Sequence, residues 1–315
     1  MVRQEPAPVG FVGLGNMGWP MARHLRQGGV DLALFDARVE RAARFAEQHG
    51  GRVAPDLAAL ARASEVVITM LPDGRVVREV ALGAAPGLVE GWRGDGTLVD
   101  MSSSDPGVYP EIEAALAARG GRLVDAPVSG AVTGAEAGTL TIMAGGEAGA
   151  IDRAAPLFGL MGQRLFRTGA LGSGQAMKAL NNLASAGAFL LTLEVLLIGQ
   201  RSGLDPQLMT EILNVSTGRN NSTDKKIISH VLSRRFDSGF ALALMAKDLT
   251  TALALAERTG TPTVLGAPTL EAARAALAAL GPGADHTALA RWLEGRVGEE
   301  LRPAPRPRVP GAAGG

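Results

Sequence analysis

The 315-residue sequence has no cysteine. That excludes disulfides, thiolate nucleophiles and cysteine-ligated metals. Aromatic residues make up only 4%, too few for the stacking platforms of a single-strand nucleic-acid binder. Net charge is missing as well, because 31 basic residues balance 31 acidic ones. Neither nucleic acid nor an anionic membrane is therefore an expected partner. The N-terminal stretch "MVRQEPAPVGFVG" lacks the apolar core of a signal peptide. The longest apolar run, 183–198, is interrupted by Glu194 and is shorter than a membrane span. A cytoplasmic location is expected. The histidines, His24, His49, His230 and His286, show no metal-ligand spacing, so no metal site is expected. Lysine is scarce too: only four of the 31 basic residues are lysine, and the rest are arginine.

What is present is ordinary globular material, 46% hydrophobic and 20% charged, long enough for two domains. In the first half, short runs of Val, Leu and Ile at 9–12, 31–35, 65–71, 97–100 and 122–126 read as strands. Segments 139–146 and 163–169 read as two more. Helical spacing falls between them, at 39–49 and 108–119. Such alternation predicts a parallel sheet covered by helices. After about residue 172 the strand pattern stops. A long helix over 177–200 is expected, then helices at 205–216, 222–234, 243–259, 268–280 and 286–300. The Pro- and Gly-rich tail, 302–315, is expected to be disordered.

The loop Gly13, Leu14, Gly15, Asn16, Met17 and Gly18 carries a G-x-G-x-x-G pattern after a strand and before a helix. Such a loop turns tightly at the first glycine, lets a pyrophosphate approach the second, and packs helix on strand at the third. Asp36 ends the second strand, where a carboxylate accepts from ribose hydroxyls and repels the extra phosphate of NADP. NAD is the expected cofactor, with NADP possible because Arg38, Arg41 and Arg44 stand nearby. Leu71, Pro72 and Ser103 follow the next strands, at the carboxyl edge where ligands bind. The small-residue segment 125–146 offers Ser129, Gly130 and Ala131 to an anion such as a carboxylate.

Four blocks then make the chain resemble the β-hydroxyacid dehydrogenases, the family of 3-hydroxyisobutyrate dehydrogenase and tartronate semialdehyde reductase. They are "GFVGLGNMGWPMA" (10–22), "DAPVSGAVTGAEAGTLTIMAGG" (125–146), "GSGQAMKALNN" (172–182) and "LMAKDL" (244–249). The resemblance implies an α/β fold with a Rossmann-type domain over 8–170 and an all-helical domain over 171–301, joined by the long helix. It implies hydride transfer between NAD(P) and a short 3-hydroxy acid or semialdehyde. Lys178 then matches the catalytic lysine, Asn182 the substrate-binding asparagine, Ser129 to Ala131 the carboxylate loop, and Lys247 a second lysine near cofactor and substrate. Two positions depart from the pattern: Ala131 replaces a glycine, and Val76 replaces an asparagine.

The choice of lysine at 178 has a physical reason. A general acid/base must exchange its proton near working pH, and arginine, with a pKa above ~12, cannot. Lysine can, because burial and nearby positive charge lower its pKa from ~10.4. Lys178 and Asn182 are four residues apart and share a helix face. Lys225 and Lys226 read as solvated helix charges. In 216–226, Arg219, Asn220 and Asn221 are candidates for a second polar group of the substrate, and Phe240 for an apolar wall. The apolar helix suggests a homodimer or homotetramer. Two other readings are an imine reductase on the same fold, against which Lys178 speaks, and a nucleotide-binding module without catalysis.

Overall fold

A computed structural model describes residues 8–83 and 86–303. Most of the tail expected to be disordered, from 304 onward, lies outside the described residues. The chain divides into two compact units between Ala179 and Leu180.

The first unit alternates strands and helices. In order they are β1 (Val9–Val12), α1 (Gly18–Gln27), β2 (Leu32–Phe35), α2 (Val39–His49), β3 (Arg52–Val53), α3 (Leu57–Ala63) and β4 (Val66–Thr69). Next come α4 (Gly74–Leu82), α5 (Leu88–Gly91), β5 (Thr97–Asp100), α6 (Tyr109–Ala117), β6 (Arg122–Asp125), β7 (Val128–Ser129) and α7 (Ala131–Ala137). The last are β8 (Leu140–Gly146), α8 (Ala148–Met161) and β9 (Gly162–Gly169). Strands β1, β4 and β5 are buried at every residue. Unbroken Val- and Leu-rich runs are what a sheet covered on both faces requires.

The sheet runs β3-β2-β1-β4-β5-β6-β8-β7, with β9 on β8. It is parallel from β3 to β6, the strand order of dinucleotide-binding sheets. The far edge turns antiparallel at β8. All seven expected strands form, with ends shifted by no more than two residues. Strands β3 and β7 escape the sequence pattern because two residues carry no periodicity.

Helix α9 (Ser173–Arg201) crosses the division, and α10 (Pro206–Asn214), α11 (Asn221–Lys225), α12 (Leu242–Arg258), α13 (Gly266–Leu280) and α14 (Leu289–Val297) follow. The expected helix over 222–234 is broken: α11 ends at Lys225 and a π-helical turn spans Ile227–Leu232. By length and composition α9 is sufficient to cross a membrane, which corrects the shorter run read from sequence. In this fold one face of α9 enters the core of the second unit, where Phe189, Leu193 and Leu196 are fully buried, while Leu191 and Ile198 are exposed.

Helix α9 begins four residues before the expected Met177, and two buried acids explain why. Asp125 ends β6 and its carboxylate accepts the Gly172 amide at 2.7 Å and the Gln175 amide at 2.8 Å. It thereby caps a helix start that "GSG" disguises as a loop. Gln175 donates to the Ser102 carbonyl at 2.8 Å and the Tyr109 hydroxyl at 2.9 Å, and accepts the Ser104 amide at 3.0 Å. Tyr109 in turn donates to Asp100 at 2.8 Å, and Asp100 also takes Ser104 Oγ at 2.6 Å and Thr69 Oγ1 at 2.9 Å. Gly174 makes the close approach possible, since a Cβ there would stand 2.2 Å from the Met143 carbonyl.

Burial pushes the Asp125 carboxyl up to about 6, with nearby Asp100 adding to it and the two amides opposing it. An unfolded aspartate titrates near ~3.9, so the folded state holds this proton more tightly. The resulting stability is complete below about pH 4 and is lost as pH rises through about 6, roughly 2–3 kcal/mol in all. Urea unfolding of the wild type and Asp125→Asn from pH 4 to 7 checks this. The decline should appear in the wild type and flatten in the variant, and equal slopes would exclude it.

Candidate active site

The glycine loop between β1 and α1 has three distinct local geometries. Gly13 turns at φ 97°, and a Cβ there would lie 2.3 Å from the Met70 carbonyl. Gly15 is different: a Cβ there would meet nothing within 4 Å, which leaves its backbone face open to a phosphate. At Gly18 a Cβ would fall 1.9 Å from the Gly13 carbonyl, so helix and loop pack directly. No side chain caps the N-terminus of α1, and its first amides, with the helix dipole, suit an anion. Asp36 is buried and accepts the Leu14 amide at 2.7 Å and the Arg38 amide at 2.8 Å, with Arg41 at 3.4 Å. The carboxylate at the end of β2 thus fastens the loop itself. These residues fit a dinucleotide.

Leu71 and Pro72 follow β4 before Asp73, which caps α4 by accepting the Val76 amide at 2.9 Å. The position where the resembling family has asparagine is therefore the first turn of a helix. Leu71 donates its amide to Ser102 Oγ at 2.9 Å. Ser103 is half-buried, between the buried Ser102 and Ser104. The small-residue connection between the strands expected at 122–126 and 139–146 contains β7 and α7. Ser129 pairs with Thr141 across to β8. Gly130 has φ 139° and Ala131 φ 55°. Alanine in the left-handed region costs about 1 kcal/mol or more, so the departure from glycine here is a strained backbone at the mouth of α7.

Lys178 is half-buried on α9, three residues after the anchored Gln175. Asn182 lies four residues further along the same helix. In the second unit Asn182 donates to Asp248 at 2.5 Å, and Asp248 pairs with Lys247 at 3.2 Å. Asp248 is buried and so joins two of the candidate residues through one carboxylate. In the sequence Asp248 reads only as a partner of Lys247. Asp100, Asp125, Tyr109 and Gln175 escape notice there altogether, although "TLVD" and "RLVD" each end a strand in an acid.

Segment 216–226 corrects one expectation, at Lys226. Arg219 pairs with Asp224 at 3.5 Å in solvent. Asn220 caps α11, accepting the Ser222 amide at 2.8 Å and the Thr223 amide at 3.3 Å. Asn221 is exposed. Lys225 is solvated as expected, but Lys226 is half-buried, with Nζ 3.3 Å from Ser185 Oγ. The π turn that follows it removes the helical spacing on which the solvated reading depended. Phe240 packs with its ring 5.5 Å from that of His286.

Comparison with known proteins agrees with this arrangement. The family model for the NAD binding domain of 6-phosphogluconate dehydrogenase matches residues 8–169. The model for the NAD-binding region of NADP-dependent 3-hydroxyisobutyrate dehydrogenase matches 172–293. The mitochondrial 3-hydroxyisobutyrate dehydrogenase of Rattus norvegicus is 40% identical over 265 residues, covering 82% of this chain and 78% of that one. The 2-(hydroxymethyl)glutarate dehydrogenase of Eubacterium barkeri is 35% identical over 250 residues, covering 79% and 82%. The solved structure of Mycobacterium tuberculosis 3-hydroxyisobutyrate dehydrogenase superposes with a TM-score of 0.81 at 30% identity, covering 92% of this chain and 99% of that one. An imine reductase from Pseudomonas sp. is further away, with a TM-score of 0.57 at 21% identity, and shares the fold alone. Matched by family models on either side of residue 170 and by such relatives over most of its length, the chain belongs to the β-hydroxyacid dehydrogenase family of NAD(P)-dependent oxidoreductases.

Proposed function

We propose that this chain interconverts a short 3-hydroxy acid and its semialdehyde, with Lys178 as the general acid/base. The supporting observation is the pinned start of α9. Asp125 and Gln175 fix its first turn at the carboxyl edge of the sheet, and Lys178 comes on the next turn. The bound nicotinamide supplies the hydride acceptor or donor. In oxidation the Lys178 amine takes the proton from the substrate hydroxyl, and in reduction it returns that proton. Ser129 and the amides of Gly130 and Ala131 hold the substrate carboxylate. Asn182, steadied by Asp248, orients the substrate, and Lys247 adds positive charge beside it. Position and charge are the protein's contributions.

Lys178→Arg should lower kcat by roughly 10²–10⁴-fold, the range of general acid–base catalysis, while cofactor affinity is retained. Near-normal turnover in that variant would rule the role out. We also infer a preference for NAD, since the fastened Asp36 carboxylate would face a 2′-phosphate. Relative kcat/KM for the two cofactors measures it, and an NADP advantage reverses the inference. Finally, Leu191, Val195 and Ile198 on α9, Leu208 and Ile212 on α10 and Val215 at its C-terminal cap are exposed at helical spacing. Such stripes suit burial against a second copy of the chain. Light scattering should give a dimer or tetramer that Ile198→Glu weakens, whereas a monomer at every concentration would contradict it.

A further inference from the structure

Lys226 has surroundings that its own fold does not explain. Its ammonium meets the Ser185 hydroxyl at 3.3 Å and lies 5.6 Å from the centre of the Phe189 ring. Among the described residues no carboxylate stands within ion-pair distance of it. The acid whose charge it feels, Asp285, is already engaged by Ser238, Gly239 and Thr287. His286 is buried beside Phe189, and its Nε2 has no hydrogen-bond partner. Burial, then the charge of Lys226, lowers the His286 pKa to about 4, so the ring is neutral at working pH and offers no counter-charge. Burial also lowers the pKa of Lys226. A half-buried cation without an acid costs free energy that an anionic ligand would recover.

The position is as telling as the charge. Ser185 is three residues beyond Asn182 on α9, hence its neighbour on one face, about 4.5 Å along the axis. The backbone after Lys226 is irregular: a π turn follows it, and beyond that turn Arg234 and Phe236 adopt φ of 62° and 50°. π turns and left-handed non-glycine residues concentrate at functional sites. The neighbouring candidates Arg219 and Asn220 are spent on Asp224 and on capping α11.

We propose that Lys226, supported by Ser185, binds a second anionic group on the substrate and so selects 3-hydroxy acids that carry a distal carboxylate. This deepens the dehydrogenase reading above and rests on it. The probes are 2-(hydroxymethyl)glutarate and 2-(hydroxymethyl)pentanoate, which differ only by a carboxylate or a methyl at the far end. The wild type should prefer the diacid at least tenfold in kcat/KM, mainly through KM. Lys226→Met should reduce that preference by roughly 10–100-fold, the worth of a charge-assisted hydrogen bond, and Lys226→Arg should restore much of it. Ser185→Ala should weaken it in the same direction. Calorimetric titration of both acids onto the NADH-bound enzyme, which cannot accept hydride, reads the same difference without turnover. An enzyme that oxidises neither acid therefore counts against the dehydrogenase reading, while the titration still decides on Lys226. A wild type without preference, or a Lys226→Met variant that loses both acids equally, overturns the proposal. So does inorganic phosphate that changes mono-acid turnover through Lys226 without competing with the diacid, which would mark a free-anion site.

Discussion

A buried carboxylate holding the first amides of a long helix is the interaction on which the proposed active centre rests. Asp125 ends β6, is inaccessible to solvent, and accepts Gly172 and Gln175 across 47 and 50 residues of chain. Without it the "GSG" start of α9 would be a poor helix beginning, rich in flexible residues and short of capping side chains. With it, the helix begins early and flush against the sheet, and Lys178 rides on a rigid element. A general acid/base needs such positioning as much as it needs a suitable pKa.

The same device recurs twice. Asp36 at the end of β2 holds the Leu14 amide of the glycine loop. Asp248 on α12 holds Asn182 and Lys247. In each case a mostly buried acid is satisfied by donors from a segment that carries a candidate site residue. Burying such charges is costly unless they are fully hydrogen-bonded, so each acid commits its segment to one geometry. Ala131 shows the opposite arrangement, with strain kept in the backbone of the loop proposed to hold the substrate carboxylate.

Much of this is legible in the amino-acid sequence. Strand runs, helical spacing and the glycine loop are local signals, and the strand ends fall within two residues of expectation. The scarcity of lysine narrows the candidates to four residues, the family resemblance points to Lys178 among them, and the chemistry of proton exchange gives a reason for lysine rather than arginine in the proposed role. Less legible are the short strands β3 and β7 and the break after Lys225, where an apolar periodic stretch changes to a π turn. Periodicity reports which face of a helix is apolar but not what that face meets. Lys226, beside a solvated Lys225 in the same short segment, for that reason reads as solvated in the sequence and is half-buried in the fold.

The sequence by itself determined the alternation of strands and helices, the phosphate-binding loop and the residue type able to trade a proton. Those depend on steric, periodic and chemical properties of neighbouring residues. Only the tertiary structure decided which acids are buried, which amides they hold, and that Lys226 meets a hydroxyl and an aromatic ring rather than an acid. Those pairings join residues up to 66 positions apart, and burial, which sets their energetic worth, exists only once the chain has folded around them.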